Sequence, residues 1–496
     1  MNAEERKPFR LGSKWRRGDG NGDGDGDVIT SINPADGSVA GVVTRALPKD
    51  VDEAVAIAWN AFRNQPWRKL RLDQRASTLY EIGRRLIAER ESLARMQMRD
   101  SGKPWKECLN MVDMAAGNFR YYAAVCETWQ NEVTPARGEY FSMAMAEPFG
   151  VIAAITPWNS PLISESQKVA PALAAGNAVL LKPSEETPQL AIELARICTE
   201  AGLPEGLLTV LPGYGEDVGA ALVNHPGVRM VSFTGGTETG RIISAAAGQR
   251  LIPVGMELGG KSPHIVFEDA DLDKAVAGVI SGIFGSAGQS CVAGSRLFVQ
   301  KSIYERFIAE LVARTRTIRV GLPDDPDTQM GPVISQAHRA KIAAYVDIAR
   351  QEGGRVLTGG ESPDIGALKH GWFYQPTVIG GLSNQARACQ EEIFGPVLVA
   401  LPFDDETDVI AQGNDTVFGL AAGIWTGEYA RAWRVARELE AGSVWINTYK
   451  QSHIATPFGG FKDSGIAREK GLHGLRLYSQ VKSIFWGLHE KPLELG

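Results

Sequence analysis

Gly150-Val-Ile-Ala-Ala-Ile-Thr156 and Asn177-Ala-Val-Leu-Leu181 are short apolar runs, and Leu207–Leu211 and Met230–Phe233 continue the series. Helical stretches separate them. One, Pro188–Ala201, has Thr187 as an expected cap and Gly202 as an expected stop. Strand, helix, strand in series predicts βαβ units, hence an α/β fold with a parallel sheet covered by helices on both faces. Upstream, Val51, Ala54, Val55, Ala58 and Phe62 repeat at helical spacing, and Leu79, Ile82, Leu86 and Leu93 mark a second long helix. Downstream, Ser262–Phe267, Arg296–Val299, Pro396–Leu401 and Ser443–Ile446 predict the strands of a second α/β lobe. Gly259-Gly260 is the candidate hinge between the two.

A chain of 496 residues has room for two or three such lobes, and 44% hydrophobic with 22% charged residues suits a soluble globular protein. A net charge of −6 offers no basic footprint for nucleic acid and no polybasic membrane patch. The segment Met1–Arg10 lacks an apolar core of the signal-peptide kind, and no apolar run approaches the ~20 residues that span a bilayer. Cys108, Cys126, Cys198, Cys291 and Cys389 are odd in number and widely spaced, without a CxxC pair. Reduced thiols in a cytoplasmic protein are expected, with neither a disulfide framework nor a zinc site. Asp19–Asp27 begins like a calcium loop, but Thr30 stands where a bidentate Glu is needed. A flexible acidic loop is the better reading.

Four runs carry chemistry. Gly285-Ser-Ala-Gly-Gln-Ser-Cys-Val-Ala-Gly-Ser-Arg296 sets Cys291 in a glycine-rich turn after an expected helix, Leu272–Gly285. Small neighbours leave a sulfur accessible and let backbone N–H groups approach a reacting atom, so Cys291 is a candidate nucleophile; a buried structural cysteine is the alternative. Gly255-Met-Glu-Leu-Gly-Gly-Lys261 places Glu257 among apolar residues at a strand end. An acid there has a raised pKa and can act as a general base, unless Lys261 or solvent simply neutralises it. Ile155-Thr-Pro-Trp-Asn-Ser-Pro-Leu162 holds Asn159 where its amide can donate to an oxyanion, or merely close a turn. Phe233-Thr-Gly-Gly-Thr-Glu-Thr-Gly240 opens a helix with glycines whose N–H groups suit a phosphate. It is not the usual dinucleotide fingerprint, and Gly213-Tyr-Gly215-Glu-Asp-Val-Gly219 is a near miss of the same kind.

Together these runs resemble the NAD(P)-dependent aldehyde dehydrogenase superfamily. Pro157-Trp-Asn159, Lys182-Pro-Ser-Glu185, Phe233-Thr-Gly235, Glu257-Leu-Gly-Gly-Lys261, Gly288-Gln-Ser-Cys291, Glu391-Glu-Ile-Phe-Gly-Pro396 and Pro457-Phe-Gly-Gly-Phe-Lys-x-Ser-Gly465 occur in the family's order, over roughly residues 28–490. The resemblance implies oxidation of an aldehyde to a carboxylic acid with NAD through a thiohemiacetal and thioester on Cys291. It implies an oxyanion hole from Asn159 and the Cys291 N–H, Glu257 as the base for deacylation, and Lys168 in a proton relay. Lys182 and Glu185 would bind the adenosine ribose, Gly235 and Gly236 would lie under the pyrophosphate, and Ser184 would also meet the cofactor. Thr234 would lie near the nicotinamide, Glu392 and Phe394 would hold its ribose and ring, Trp158 would line the site, and Thr156 would also contact the cofactor. The family often has Ser where this chain has Gly236, so one hydroxyl to phosphate is lost.

The implied architecture is a Rossmann-like cofactor lobe (28–129 and 148–259) and an α/β catalytic lobe (260–440). A return segment (441–479) closes the site, a small β oligomerisation arm spans 130–147 and 480–496, and a flexible Gly-rich segment covers 1–27. A homodimer or homotetramer acting on a small-molecule aldehyde is expected. Tunnel positions Ser164, Gln167, Lys450, Gln451, Ser452 and His453 are polar, which points to a polar or anionic substrate tail; solvent-facing Lys450 and His453 are the plain alternative. A CoA-acylating semialdehyde dehydrogenase would also use Cys291, but has no need for Glu257. A cysteine-dependent esterase would need a histidine at the thiol.

Overall fold

The computed structural model describes residues 6–16, 28–64, 66–135 and 138–488. Asp19–Asp27, read above as an acidic loop, lies outside them. Val151–Ile155 and Ala178–Lys182 are buried at every position. That is why their sequences run apolar without alternation: a parallel strand in a central sheet meets helices on both faces.

The first sheet has six strands. From one edge they run Gly465–Ile466, Val254–Glu257, Met230–Thr234, Val151–Ile155, Ala178–Lys182 and Leu208–Val210. All pair in parallel except Gly465–Ile466, which joins antiparallel beside Val254–Glu257. The chain leaves Val151–Ile155 toward one edge and later returns to lay Met230–Thr234 on its other side. A crevice therefore opens at the carboxyl ends of those two strands, where ligands settle in sheets of this type.

The second sheet has seven strands, in the order Arg355–Thr358, Thr377–Gly380, Val397–Phe403, Arg296–Gln300, Pro263–Val266, Ala421–Trp425 and Ser443–Ile446. Only the Arg355–Thr358 edge is antiparallel. Each sheet has its own buried apolar cluster. The segment after Ser443–Ile446 crosses from the second sheet to the first, and its Gly465 pairs directly with Glu257. A third, antiparallel sheet joins Glu132–Thr134, Tyr140–Pro148 and Ser479–Gly487 and leaves Val481, Phe485 and Trp486 exposed. Sheet, sheet and arm make the expected α/β class.

Several expectations need correction. The helix expected to run through Leu93 is two helices, Leu72–Ala88 and Arg90–Ser101, broken at Glu89. Thr187 does not cap the following helix. Pro188 occupies the cap position, and the turn from Ser184 to Thr187 buries the Thr187 hydroxyl without a partner. Gly202 does end that helix, at φ +93°. Ala421–Trp425 and Thr377–Gly380 are sheet strands that the sequence reading passed over. In the first, small residues are needed because a Cβ on Gly423 would lie 2.5 Å from the Tyr449 ring.

Candidate active site

Asp271 caps the helix Leu272–Phe284 by accepting from the Lys274 N–H at 3.2 Å. The helix stops at Gly285, and Ser286, Ala287 and Gly288 all take positive φ, at 58°, 53° and 72°. Two non-glycine residues in the left-handed region cost about 1–2 kcal/mol each, so the surroundings must impose the turn. Gln289 supplies part of that constraint: its carbonyl oxygen accepts from Ile334 N–H at 2.8 Å and its amide donates to Ser286 O at 3.2 Å. Ser286 is also hydrogen-bonded to Glu107. Beyond the turn, Tyr449 donates to Val292 O at 3.1 Å. The result presents Cys291 half-buried, whereas the other four thiols are fully buried.

The close approach of glycines fixes this loop. A Cβ on Gly288 would lie 2.0 Å from Gly395 O, and one on Gly260 would lie 2.4 Å from Cys291 O. Gly288→Ala is therefore expected to destabilise the fold by about 2–4 kcal/mol, because strain at positive φ adds to a backbone overlap. A thermal melt within 2 °C or so of the parent would refute that.

Three candidate catalytic groups surround the sulfur. Asn159, in the turn after Val151–Ile155, donates one amide hydrogen to Gln289 O at 3.0 Å, which leaves the second free. The Cys291 N–H has no acceptor among the described residues. Glu257, at the end of its strand, is buried with both oxygens unpartnered. Space for it comes from Gly459, where a Cβ would lie 2.9 Å from Glu257 Oε1. Burial, then the neighbouring Glu469 charge, push the Glu257 carboxyl well above the usual carboxylate range, against the pull of Lys168, Arg468 and Lys470. Cys291 itself is pushed up to about 12 by burial and by the Glu392 and Glu257 charges, while Lys470 and Lys450 favour its thiolate.

Lys168 projects from the helix Pro161–Ala175 into a buried network. Its ammonium donates to Glu469 Oε1 at 2.6 Å and to Ser232 Oγ at 3.1 Å. Ser232 in turn bonds Tyr478 at 2.9 Å. Gln167 donates to the other Glu469 oxygen at 2.5 Å, so it is tied into this network rather than held ready for a substrate tail. Ser164 is half-buried, whereas Gln451, Ser452 and His453 are exposed. His453 accepts from Ala455 N–H at 3.2 Å, as the plain reading had it.

The crevice fits a dinucleotide. The buried Thr156 hydroxyl at the end of Val151–Ile155 has no protein partner. Across from it, Thr234 is followed by Gly235 and Gly236, which open the helix Thr237–Gln249; a Cβ on Gly236 would face open space. Lys182 donates to Pro183 O at 2.9 Å and reaches Glu185 Oε2 at 3.4 Å. The Ser184 hydroxyl accepts from Glu186 N–H at 3.3 Å, closing a turn. Glu392 accepts from Gly260 N–H at 2.8 Å, and Gly259 is bare where a Cβ would touch Glu392 at 2.4 Å. The glycine pair thus serves the approach of Glu392. Phe394, at φ 62°, meets Trp158 edge-on at 5.4 Å between ring centres. His338 bonds Phe394 O at 2.8 Å and packs on the same tryptophan. Among the described residues no group of three or more His, Cys, Asp or Glu is placed to hold a metal ion, and no helix is long and apolar enough to cross a membrane.

Residues 22–484 match the aldehyde dehydrogenase family. The chain belongs to that family. It is 44% identical over 456 residues to the betaine aldehyde dehydrogenase of Mesorhizobium japonicum, covering 92% of this chain and 93% of that one. The betaine aldehyde dehydrogenase of Bacillus subtilis is 40% identical over 455 residues, covering 92% and 93%. Among solved structures, the Staphylococcus aureus betaine aldehyde dehydrogenase in complex with NAD+ superposes with a TM-score of 0.95 at 36% identity, covering 98% of this chain and 95% of that one. The NAD+ complex of a Bacillus cereus aldehyde dehydrogenase gives 0.94 at 37% identity, with 98% of both chains covered.

The fold of the dehydrogenase brings Cys291, Glu257 and Asn159 from three separate segments to one place, with Lys168 behind them. Sequence reasoning missed Glu469, Ser232, Lys470 and Glu107. The only signal for two of them was the charged run Arg468-Glu469-Lys470, which reads as a solvated surface; Glu469 is in fact 2% exposed.

Proposed function

We propose that Cys291, Glu257 and Asn159 carry out NAD-dependent oxidation of an aldehyde to its acid, with Cys291 as nucleophile. The observation that carries these roles is the convergence of an accessible thiol, two free N–H donors and an unpartnered buried carboxyl. The Cys291 thiolate adds to the carbonyl carbon, and the oxygen that gains charge is met by the free Asn159 amide hydrogen and the Cys291 N–H. Bound NAD supplies the hydride acceptor. Glu257 takes a proton from water, which then attacks the thioester carbon and frees the acid and the thiol. Lys168 and Glu469, buried next to Glu257, give that proton a path onward. Retention of Glu257 supports hydrolysis over transfer to CoA. Among the described residues no histidine is hydrogen-bonded to Cys291; His338 bonds Phe394 O, and the buried His264 accepts from Trp425 Nε1–H at 2.6 Å.

Thr156, Trp158, Lys182, Ser184, Glu185, Thr234, Gly235, Gly236, Glu392 and Phe394 would hold the cofactor. Glu185 is half-exposed beside Lys182, where a carboxylate accepts from both ribose hydroxyls and repels a 2′-phosphate. A kcat/KM at least about ten-fold higher with NAD than with NADP is expected, and equal values for the two would refute the assignment of Glu185. The exposed apolar side chains of the arm support a homodimer or homotetramer, and five free thiols suit a cytoplasmic enzyme. The overall reading is tested by following NADH production with a panel of aldehydes.

A further inference from the structure

Two lysines on the segment that crosses between the sheets act on Cys291. Both hold φ in the left-handed region, Lys450 at 57° and Lys470 at 60°. A long L side chain takes that conformation only where its surroundings impose it, and such positions gather at functional sites. The Lys470 ammonium lies 3.0 Å from Ser452 Oγ and 4.9 Å from the centre of the Phe458 ring. The next residue, Gly459, packs on Glu257. Lys450 is half-buried, and its Nζ lies 3.9 Å from where a Cβ on Gly285 would stand, at the start of the Cys291 turn. It makes no hydrogen bond or ion pair with any described residue. Burial lowers its pKa only to about 8, so it stays charged at neutral pH.

Acids offset these charges in part: Glu392, which accepts from Gly260 N–H at 2.8 Å, and Glu257 both act on Cys291, and Glu107 attracts Lys450. Glu107 pairs with Lys103 at 3.0 Å and bonds Ser286. Glu469 pairs with Lys168 at 2.6 Å. Burial and the Glu469 charge push the Glu257 carboxyl well above the usual carboxylate range. Lys450 and Lys470 are the cations that favour the Cys291 thiolate, and neither forms an ion pair with a described residue. A quaternary-ammonium aldehyde, the substrate for which the betaine aldehyde dehydrogenases are named, would enter against two like charges. A carboxylate would find two ammonium groups there, neither of them already in an ion pair with a described residue.

We propose that Lys450 and Lys470 form an anion-recognition pair over Cys291, so that this enzyme selects aldehydes with a carboxylate tail and rejects cationic ones. The inference rests on the aldehyde-oxidising role of Cys291 proposed above. The test compares kcat/KM for 4-oxobutanoate, butanal and betaine aldehyde, which differ chiefly in tail charge. In the parent enzyme 4-oxobutanoate should exceed butanal by at least about ten-fold, with betaine aldehyde below butanal by a similar factor. Lys450→Met and Lys470→Met should each lower the 4-oxobutanoate-to-butanal ratio by about five-fold or more, and Lys→Arg should keep most of it. Should a variant fail to fold, the parent still decides: raising ionic strength from about 0.05 to 0.5 M should shrink its ratio. A parent ratio near one, a ratio untouched by both Met variants, or betaine aldehyde as the best of the three overturns the pair. Failure of the underlying reading looks different, since none of the three aldehydes would then yield NADH.

Discussion

Replacing Cys291 with Ala is expected to lower aldehyde oxidation by about ten-thousand-fold or more, while NAD still binds with little change in Kd. The loss is large because no neighbour can replace the sulfur. The other four thiols are buried elsewhere in the fold, and burial pushes Cys198 and Cys108 far up from the ordinary thiol range. Cofactor binding should survive because the crevice is built from the carboxyl ends of Val151–Ile155 and Met230–Thr234, which the substitution does not touch. Alanine at 291 is also sterically mild, in contrast to alanine at Gly288. The measurements are NADH formation and quenching of tryptophan fluorescence by NAD, with Trp158 beside the site. Turnover near the parent rate would remove Cys291 from the chemistry, and loss of NAD binding would show a structural effect instead.

Glu257→Gln separates the two halves of the reaction. The amide fills the same space but cannot take a proton from water. One equivalent of NADH per site should appear as a burst, followed by a steady state slower by about 10²–10⁴-fold. Intact mass spectrometry should find the acyl group on Cys291. The pH dependence has a definite sign. Glu257 acts only when ionised, and burial with the Glu469 charge raises its pKa, so deacylation should speed up as pH rises through a value well above the ~4.3 of a free glutamate. That acid limb should vanish from the residual rate of the Gln variant. An unchanged steady state, or an acid limb that persists, would assign the base to another group.

The repeated apolar runs determined the α/β class without help from tertiary structure. Val151–Ile155 is apolar throughout and Ala178–Lys182 at every position but its last because helices cover both faces of the sheet, and that burial is written directly into composition. The ordered motifs likewise marked Cys291, Glu257 and Asn159, since each needs small or apolar neighbours that are visible in the chain. What tertiary structure decided is which distant charges meet. Lys168 and Glu469 lie three hundred and one residues apart in sequence and 2.6 Å apart in space. No local pattern distinguishes such a glutamate from a solvated one. The roles of Lys450 and Lys470 depend in the same way on a crossing segment whose path is set when Gly465 pairs with Glu257. Periodicity reports whether a side chain is covered. Charge pairing depends on three-dimensional approach, and only the closed fold supplies it.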